Sequence, residues 1–296
     1  MDRVAAAVLR DPLDVRLANL YGDNERGITP YGMRVEDNIL PELITQLAET
    51  ADYRARRAAI IEANANAGRS PMRRGLALTP VRFGISFTTS FLNQAGALIH
   101  IYKDGSVQLN HGGTEMGQGL YIKVAQVVSE VLGVDLEQVQ ITATRTDKVP
   151  NTSATAASSG SDLNGWAAKL AALELRDRLT AFWCGSQSIK GALRFEGGEV
   201  LADDGRRWPF TAVVKAAYLG RVSLSATGYY RTPKIDWDAK TGQGRPFLYF
   251  AYGAAVSEVE IDSLTGANRL IRADILHDVG RSLTPALDEG QIEGGF

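Results

Sequence analysis

The most chemically suggestive stretch of the sequence is residues 110–119, where four glycines surround a single glutamine, Gln118. Glycines let backbone N–H groups approach a ligand closely, and the helix expected from Gly119 would favour a negatively charged ligand. The Gln118 side chain offers both donors and acceptors, which suit a heterocycle or a phosphate ester better than a bare ion. The run matches neither the P-loop nor the dinucleotide-binding spacing. On these grounds an ordinary loop with turn glycines is an equally open interpretation.

Two further segments share this layout. Residues 152–165 consist almost wholly of small side chains and precede a predicted helix, with Ser161 and Asp162 as candidate N-caps. Small residues before a helix leave room for a bulky ligand, although a flexible Ser/Ala linker has the same composition. Near the end of the sequence Gln291 again stands among glycines, which is a weak signal by itself. Together the three segments predict a ligand cradle built from separate parts of the chain.

Composition narrows the classes of function. The 296 residues carry 32 Lys+Arg and 34 Asp+Glu, so the net charge of -2 predicts no nucleic-acid or anionic-membrane partner. No apolar run has the length of a transmembrane span and the amino terminus is not a secretory signal, so a cytoplasmic location is predicted. Cys184 is the one cysteine, which excludes an intrachain disulfide and a cysteine-ligated zinc or iron–sulfur centre in this chain.

Two common catalytic arrangements find no support. The three histidines, His100, His111 and His277, are scattered without carboxylate or thiol neighbours at ligand spacing, so each is predicted to be structural. Ser158 and Ser159 lack the Gly-x-Ser-x-Gly elbow of serine hydrolases. The sequence therefore predicts neither a side-chain metal site nor a nucleophilic serine.

The elements that must position these segments change character along the chain. Residues 1–75 are predicted to form a helical lead-in, with a helix over about 1–20 that Pro12 breaks, a second helix over 35–66, and Arg54, Arg56 and Arg57 on a solvated face. The elements expected next are an extended stretch over 76–92, a hairpin around Asp104-Gly105, helices over 119–132 and 167–179 with a strand over 139–144 between them, small hairpins at 197–198 and 204–205, and a long hairpin of 247–261 with 270–279. Helices and strands are mixed rather than strictly alternating, which predicts an α+β fold with mixed, mostly antiparallel sheets and packed helices.

Taken together, the segments resemble the molybdopterin-binding portion of molybdenum hydroxylases of the xanthine dehydrogenase type. The stretches that carry the resemblance are residues 83–88, 91–100, 111–119, 149–158, 252–261 and 278–295. Their combination is specific, whereas no single stretch would suffice. The resemblance implies one molybdopterin-binding domain over residues 1–296, incomplete at its carboxyl end. Its parts would be the lead-in over 1–75, a cofactor-gripping α/β part over 76–183 and a hairpin-rich part over 184–296.

The resemblance also implies roles for individual residues. Cofactor contacts are expected from Gly117, Gln118, Gly119, Ala156, Ala157, Ser158 and Gln291. Ala157 would line the molybdenum site without supplying a side-chain ligand. Phe87 would pack against a flat purine and Thr88 would hydrogen-bond it, since an aromatic wall beside a hydroxyl suits a planar heterocycle. The family's general base is expected downstream of Phe296, so no catalytic residue and no turnover are expected of this chain alone.

The reaction that the resemblance implies is hydroxylation of hypoxanthine and xanthine with water as the oxygen source. Electrons would leave through 2Fe–2S clusters to FAD, and both groups would lie on another segment or subunit that acts as the partner of this chain. Two alternatives stay open. One is the same cofactor grip in an aldehyde oxidase-like hydroxylase, and the other is a non-catalytic, cofactor-holding fragment.

Overall fold

The computed structural model describes residues 1–23 and 25–295; Asn24 and Phe296, the last residue of the predicted domain, lie outside the described residues. The α-helices of the described part are α1 (Asp2–Ala7), α2 (Pro12–Ala18), α3 (Leu40–Thr50), α4 (Tyr53–Ala65), α5 (Leu120–Leu132), α6 (Gly160–Gln187), α7 (Phe210–Leu219) and α8 (Pro285–Gly295). The strands are β1 (Met72–Ile85), β2 (Gln94–Ile101), β3 (Val107–His111), β4 (Val139–Ile141), β5 (Leu193–Glu196), β6 (Glu199–Ala202), β7 (Arg207–Pro209), β8 (Ser225–Arg231), β9 (Asp236–Asp238), β10 (Gln243–Arg245), β11 (Tyr249–Asp262) and β12 (Asn268–His277).

The chain forms two compact units that interleave along the sequence. Unit 1 consists of Met1–Ile85 and Asp236–Gly280, and unit 2 consists of Ser86–Ile235 and Arg281–Phe296. All three segments predicted to bind a ligand belong to unit 2. The division of one domain into the three consecutive parts given above stays a prediction.

Unit 1 is built on an antiparallel sheet in the order β1-β11-β12. Helix α3 carries an apolar stripe at helical spacing, formed by Leu40, Leu43, Ile44 and Leu47, all of them buried. This stripe packs on β11, and α4 packs on β1. Alternate side chains of the strands complete the core, because successive residues of a strand point to opposite faces. The buried strand residues are Leu76, Leu78, Phe250, Tyr252, Ala254 and Val256.

The helical lead-in has one predicted break and one that was not predicted. The helix expected over 35–66 is two helices, since Asp52 adopts a left-handed conformation with φ 49° between α3 and α4. The helix expected over 1–20 is interrupted before Pro12, as predicted, and the Asp11 side chain caps the second helix by accepting a hydrogen bond of 2.8 Å from the amide of Leu13. The extended stretch expected over 76–92 ends at Ile85, beyond which a short 3₁₀ turn covers Ser90–Leu92.

The solvated face predicted for the arginines of α4 is correct for Arg54 and wrong for Arg56 and Arg57, of which Arg57 is 26% exposed and pairs with Asp11. The Arg54 side chain is 63% exposed, whereas that of Arg56 is 15% exposed and bridges two carboxylates of the sheet. Its Nη2 lies 2.8 Å from Oε2 of Glu258 and its Nη1 lies 2.9 Å from Oδ2 of Asp274. The charge pattern of the helix alone does not reveal these partners, because they lie more than 200 positions further along the chain.

Unit 2 contains a four-stranded sheet in the order β4-β3-β2-β8, in which β3 and β4 are parallel and the other pairs are antiparallel. Helix α6 lies on β2 and β8, and α5 packs against α6. The helix predicted over 119–132 and the hairpin at Asp104-Gly105 are confirmed as α5 and as β2 with β3. Helix α6 is longer than the predicted 167–179 at both ends, and Gly160 and Gly165 in its first turns lie near Leu120 and Val127 of α5.

The remaining part of unit 2 is a smaller antiparallel sheet, β5-β6-β7, followed by α7. Its turns occur at the predicted positions, 197–198 and 204–205. The long hairpin predicted near the end of the chain is also confirmed, as β11 with β12 in unit 1. The α+β class with mostly antiparallel sheets and packed helices is therefore confirmed. Among residues 1–23 and 25–295, no helix combines the length and the hydropathy needed to cross a membrane.

Candidate functional site

The three predicted ligand-binding segments meet in unit 2. The amide of Thr114, in the glycine-rich loop 110–119, donates a hydrogen bond of 2.9 Å to Oγ1 of Thr155 in the second segment. The Nε2 of Gln291 in α8 donates to the carbonyl oxygen of Gly117 over 3.2 Å, across 174 positions of sequence. A Cβ added at Gly112 would lie 2.1 Å from the Thr152 side chain, so the backbone of the first segment packs directly against a side chain of the second. The predicted cradle is therefore assembled.

Helix α8 is held on α5 by an ion pair and an apolar contact. Nζ of Lys123 lies 2.6 Å from Oδ1 of Asp288, and the two side chains are 15% and 21% exposed. The hydrogen bond from Lys123 lowers the pKa of the Asp288 carboxyl, and a second one from Ser282 adds to the effect. A Cβ added at Gly119 would lie 2.8 Å from Cδ1 of Leu287, so Leu287 of α8 packs directly on the start of α5. These contacts place Gln291 beside the loop.

The Gln118 side chain folds along its own loop. Its Oε1 accepts a hydrogen bond of 2.6 Å from the amide of Met116, and its Nε2 donates one of 2.9 Å to the carbonyl oxygen of Thr114. Each end of an amide side chain has capacity for one further bond, so a donor and an acceptor are held in a defined orientation for a ligand. Next to it Gly117 has φ 97°, and a Cβ there would meet no described atom within 4 Å. The surface over Gly117 is therefore open.

The second segment contains two consecutive residues in the left-handed region. Ala157 has φ 55° and Ser158 has φ 52°, a conformation that costs residues with a Cβ of the order of 1 kcal/mol each. Such strain is concentrated at functional sites, where the surrounding structure maintains it. The N-cap predicted at Ser161 or Asp162 is wrong, since α6 begins after Ser159. The Ser159 hydroxyl is buried and donates to the carbonyl oxygen of Ala156 over 3.1 Å instead of capping the helix.

Phe87 and Thr88 lie just beyond β1 and connect indirectly to the second segment. The buried side chain of Asn93 holds Phe87 from both sides, accepting from its amide over 2.7 Å and donating to its carbonyl oxygen over 2.8 Å. The next residue, Gln94, accepts a hydrogen bond from the Ser153 hydroxyl over 3.2 Å. Phe87 is half-buried and Thr88 is exposed. Their predicted contact with a substrate stays a prediction.

Glu115, which was not among the predicted site residues, places its carboxylate inside the glycine-rich loop. Its Oε1 accepts hydrogen bonds from the amides of Gly117 and Gly119, at 2.9 and 3.0 Å, and its Oε2 accepts one from Tyr121 at 2.9 Å. Burial would raise the pKa of this carboxyl, but these backbone hydrogen bonds outweigh it and lower the pKa. A glutamate among glycines just before a predicted helix is the signal that could have revealed it.

His111, at the end of β3, anchors the other side of the loop. Its Nδ1 accepts a hydrogen bond of 3.1 Å from the amide of Gly113, which leaves the proton of the neutral ring on Nε2. Nε2 is buried and has no hydrogen-bond partner among the described residues. The ring meets Tyr121 edge to face, with the centroids 5.3 Å apart. Burial lowers the pKa of His111 to about 4, against a smaller opposing effect of Glu115.

This depressed pKa predicts a stability loss in mild acid. The unfolded chain binds a proton at His111 near pH 6.5, whereas the folded chain does so only near pH 4. The free energy of unfolding therefore decreases as the pH is lowered from 6.5 to 4. The loss is about 3 kcal/mol, at ~1.4 kcal/mol per pKa unit. Urea unfolding as a function of pH measures it. His111→Asn is expected to remove this slope, and His100→Asn, on the neighbouring strand, to retain it. A slope that survives His111→Asn contradicts the assignment.

The sequence matches the model of a known family. The model of the molybdopterin cofactor-binding domain family matches residues 46–296, most of the chain, and the chain belongs to this family. The resemblance found in the sequence is thereby confirmed. Among the described residues, no group of three or more His, Cys, Asp or Glu side chains could hold a metal ion.

Several relatives are 40–44% identical to this chain over the aligned residues. Xanthine dehydrogenase/oxidase of Gallus gallus is 44% identical over 96% of this chain and 19% of the relative. Xanthine dehydrogenase of Oryza sativa subsp. japonica is 40% identical over 100% of this chain and 20% of the relative. Nicotinate hydroxylase of Emericella nidulans is 44% identical over 99% of this chain and 21% of the relative. The chain spans about a fifth of the length of these relatives.

Solved structures agree on the fold. The CO dehydrogenase from Oligotropha carboxidovorans matches with a TM-score of 0.81 and 22% identity, over 99% of this chain and 37% of that one. The aldehyde oxidoreductase from Desulfovibrio gigas matches with a TM-score of 0.76 and 22% identity, over 99% of this chain and 29% of that one. At such identities the likeness concerns the fold alone.

Proposed function

We propose that this chain holds the molybdenum cofactor of a hydroxylase that acts on xanthine and hypoxanthine and takes its oxygen from water. The observation that supports this most is the assembly of the cradle. Residues 110–119, residues 152–158 and Gln291 are far apart in sequence, yet hydrogen bonds join them in one unit. The whole-protein activity rests on the relatives named above, whose identity to this chain is 40–44%.

The cradle fits a molybdopterin in its chemistry. A pterin ring carries both donors and acceptors, and the Gln118 amide presents one of each in a fixed orientation. The open surface over Gly117 lets a flat group approach the backbone closely. The strained backbone at Ala157 and Ser158 places small side chains beside the loop, where a bulky group needs room. In this proposal Gly119, Ala156 and Gln291 complete the contacts, and Ala157 lines the molybdenum site.

When bound, the cofactor would supply the redox chemistry of the hydroxylation. The residues of this chain would bind and orient the reactants. Gln118 would hold the pterin, Phe87 would offer an aromatic wall to a planar substrate, and Thr88 would supply a hydrogen-bonding hydroxyl. The 2Fe–2S clusters and FAD that carry electrons away would lie on another segment or subunit. We also propose a cytoplasmic location, as predicted from the sequence.

The cofactor part of the proposal predicts a defect in one glutamine variant. Gln118→Ala removes a fixed donor and acceptor, so molybdopterin content should fall roughly tenfold, the equivalent of one to two hydrogen bonds. Fluorescence of the oxidised pterin and elemental analysis of molybdenum measure the content of purified protein. Gln46→Ala, an exposed glutamine of α3 in unit 1, is the matched control and should bind normally. Equal content in the two variants would refute the role of Gln118.

A substrate panel tests the reaction. Xanthine, hypoxanthine, nicotinate and an aromatic aldehyde are offered to the purified protein together with the segments or subunits that supply the general base and the redox groups, in water labelled with heavy oxygen. Preferential turnover of the two purines, with the label in the product, is the expected result. Preference for the aldehyde would establish the aldehyde oxidase-like alternative, and preference for nicotinate would assign a different heterocycle. Cofactor binding without turnover of any of them would establish the non-catalytic alternative.

A further inference from the structure

The amino end of α5 contains its own anion. The backbone N–H groups of Gly117, Gly119 and Tyr121 are the donors that the glycine-rich loop would present to a phosphate or another negatively charged ligand. All three instead donate to the Glu115 carboxylate, over 2.9 to 3.0 Å. A negative charge at this end of a helix is favourable, and hydrogen bonds to a carboxylate are among the stronger ones in proteins.

The same carboxylate closes the turn that presents Gln118. Gly117 and Gly119, on either side of Gln118, are both left-handed, with φ 97° and 75°. Glycine adopts this region freely, so the glycines alone do not hold the backbone there. One carboxylate oxygen bonded to both amides does hold it. The titratable group that faces Glu115 from the neighbouring strand is His111, which is neutral and buried.

We propose that Glu115 is a positioning residue: its carboxylate locks the turn around Gln118 and keeps external anions away from the first turn of α5. The second part has a consequence for recognition. The loop meets its ligand with the Gln118 amide and the Gly117 surface, so it binds an uncharged, hydrogen-bonding edge of the ligand rather than its phosphate. The statement about the ligand rests on the proposed function; the statement about the turn does not.

The test of the turn uses the cofactor-free chain and amide NMR. In Glu115→Ala, hydrogen exchange at Gly117, Gly119 and Tyr121 should accelerate at least about tenfold, and the side-chain NH₂ resonances of Gln118 should move toward those of a free amide. Glu130→Gln, at an exposed position of the same helix, is the control and should leave both unchanged. A helix cap without a positioning role would change the exchange of Tyr121 but not the Gln118 resonances, and that result would overturn the proposal.

Inorganic phosphate tests the exclusion of anions. Titration with phosphate should shift the amide resonances of Gly117, Gly119 and Tyr121 in Glu115→Ala. The same resonances should not shift in the wild type, because there the three N–H groups already donate to the carboxylate. Equal shifts in both proteins would overturn the proposal. Measurement of pterin content separates it from the proposed function. A wild type without pterin refutes cofactor binding alone, whereas a wild type and a Glu115→Ala variant with equal content refute the positioning role.

Discussion

Gly228→Ala is expected to lower the free energy of unfolding by about 4 kcal/mol, at the upper end of overpacking effects. A Cβ at this position of β8 would lie 2.0 Å from the carbonyl oxygen of Ala167 and 2.7 Å from the amide nitrogen of Ala171. Both atoms belong to the backbone of α6, so no side-chain rotation relieves the clash. The helix would have to move off the sheet, and its amino end directly follows the strained pair Ala157 and Ser158.

Urea unfolding and pterin content together measure the effect of Gly228→Ala. The matched control is Gly185→Ala, at an exposed glycine of the same helix where an added Cβ meets no described atom within 4 Å. That change should raise stability by about 0.8 kcal/mol, because alanine is the better helix former. We expect pterin content to fall in Gly228→Ala and to be unchanged in Gly185→Ala. A Gly228→Ala protein of wild-type stability would show that α6 and β8 do not touch.

Arg56→Ala is expected to cost about 3 kcal/mol, the lower end for removal of one partner from a buried charge network. The Arg56 guanidinium donates to Glu258 and Asp274 and also to the carbonyl oxygen of Ala51, over 3.0 Å. The side chains of Glu258 and Asp274 are 11% and 19% exposed, so water compensates poorly for the lost charge. The network joins α4 to β11 and β12.

Arg54→Ala provides the control on the same helix. Its partner is Asp14 at 2.6 Å, but the two side chains are 63% and 38% exposed, so its loss should cost less than about 1 kcal/mol. The two variants differ in pH dependence as well. Burial would raise the pKa of Asp274, but hydrogen bonds from Arg272 and Arg56 outweigh it and lower the pKa below the ordinary 3.8. The stability this carboxylate contributes is therefore present above that value and is lost as the pH falls further.

The cost of Arg56→Ala should accordingly shrink as the solution is acidified below about pH 4, where the Asp274 carboxylate takes up a proton. Urea unfolding of wild type, Arg56→Ala and Arg54→Ala between pH 3 and pH 7 covers the range. Equal costs for the two arginines at neutral pH would contradict the buried network. A cost for Arg56→Ala that does not change with pH would show that packing of the side chain, not its charge, supplies the stability.

Local patterns predicted the elements that depend on neighbouring residues. The Asp-Gly turn at 104–105 joins β2 to β3, and the apolar spacing of 120–132 forms α5. These features need only backbone preferences and a single apolar face. The break at Asp52 was not predictable, since this residue takes its left-handed conformation between Ala51 and Tyr53, both fully buried. That break is a result of packing, and residue types near it do not indicate it.

The residue types of the candidate site could be predicted from the sequence, whereas the hydrogen bonds between its residues could not. Glycines at 117 and 119 stand where the backbone is left-handed, and Gln118 between them is the polar group they present. Glu115, which occupies the amides that were assigned to a ligand, was overlooked because a carboxylate can cap a helix or face solvent with equal ease. The sequence places it near the helix start, and geometry alone shows that three N–H groups converge on it.

By itself, the sequence of this protein determined the α+β class, the three segments that could bind a ligand and the family they belong to. Each depends on residue types in short runs, whose conformational preferences act locally. The tertiary structure decided which residues pair across the chain. It brings the Gln291 side chain to the carbonyl oxygen of Gly117 and the Thr155 hydroxyl to the amide of Thr114. It also pairs the Arg56 side chain with Glu258 instead of leaving it in solvent. Those contacts join residues 41 to 202 positions apart, and only the packing of helices on sheets brings such residues within hydrogen-bond distance.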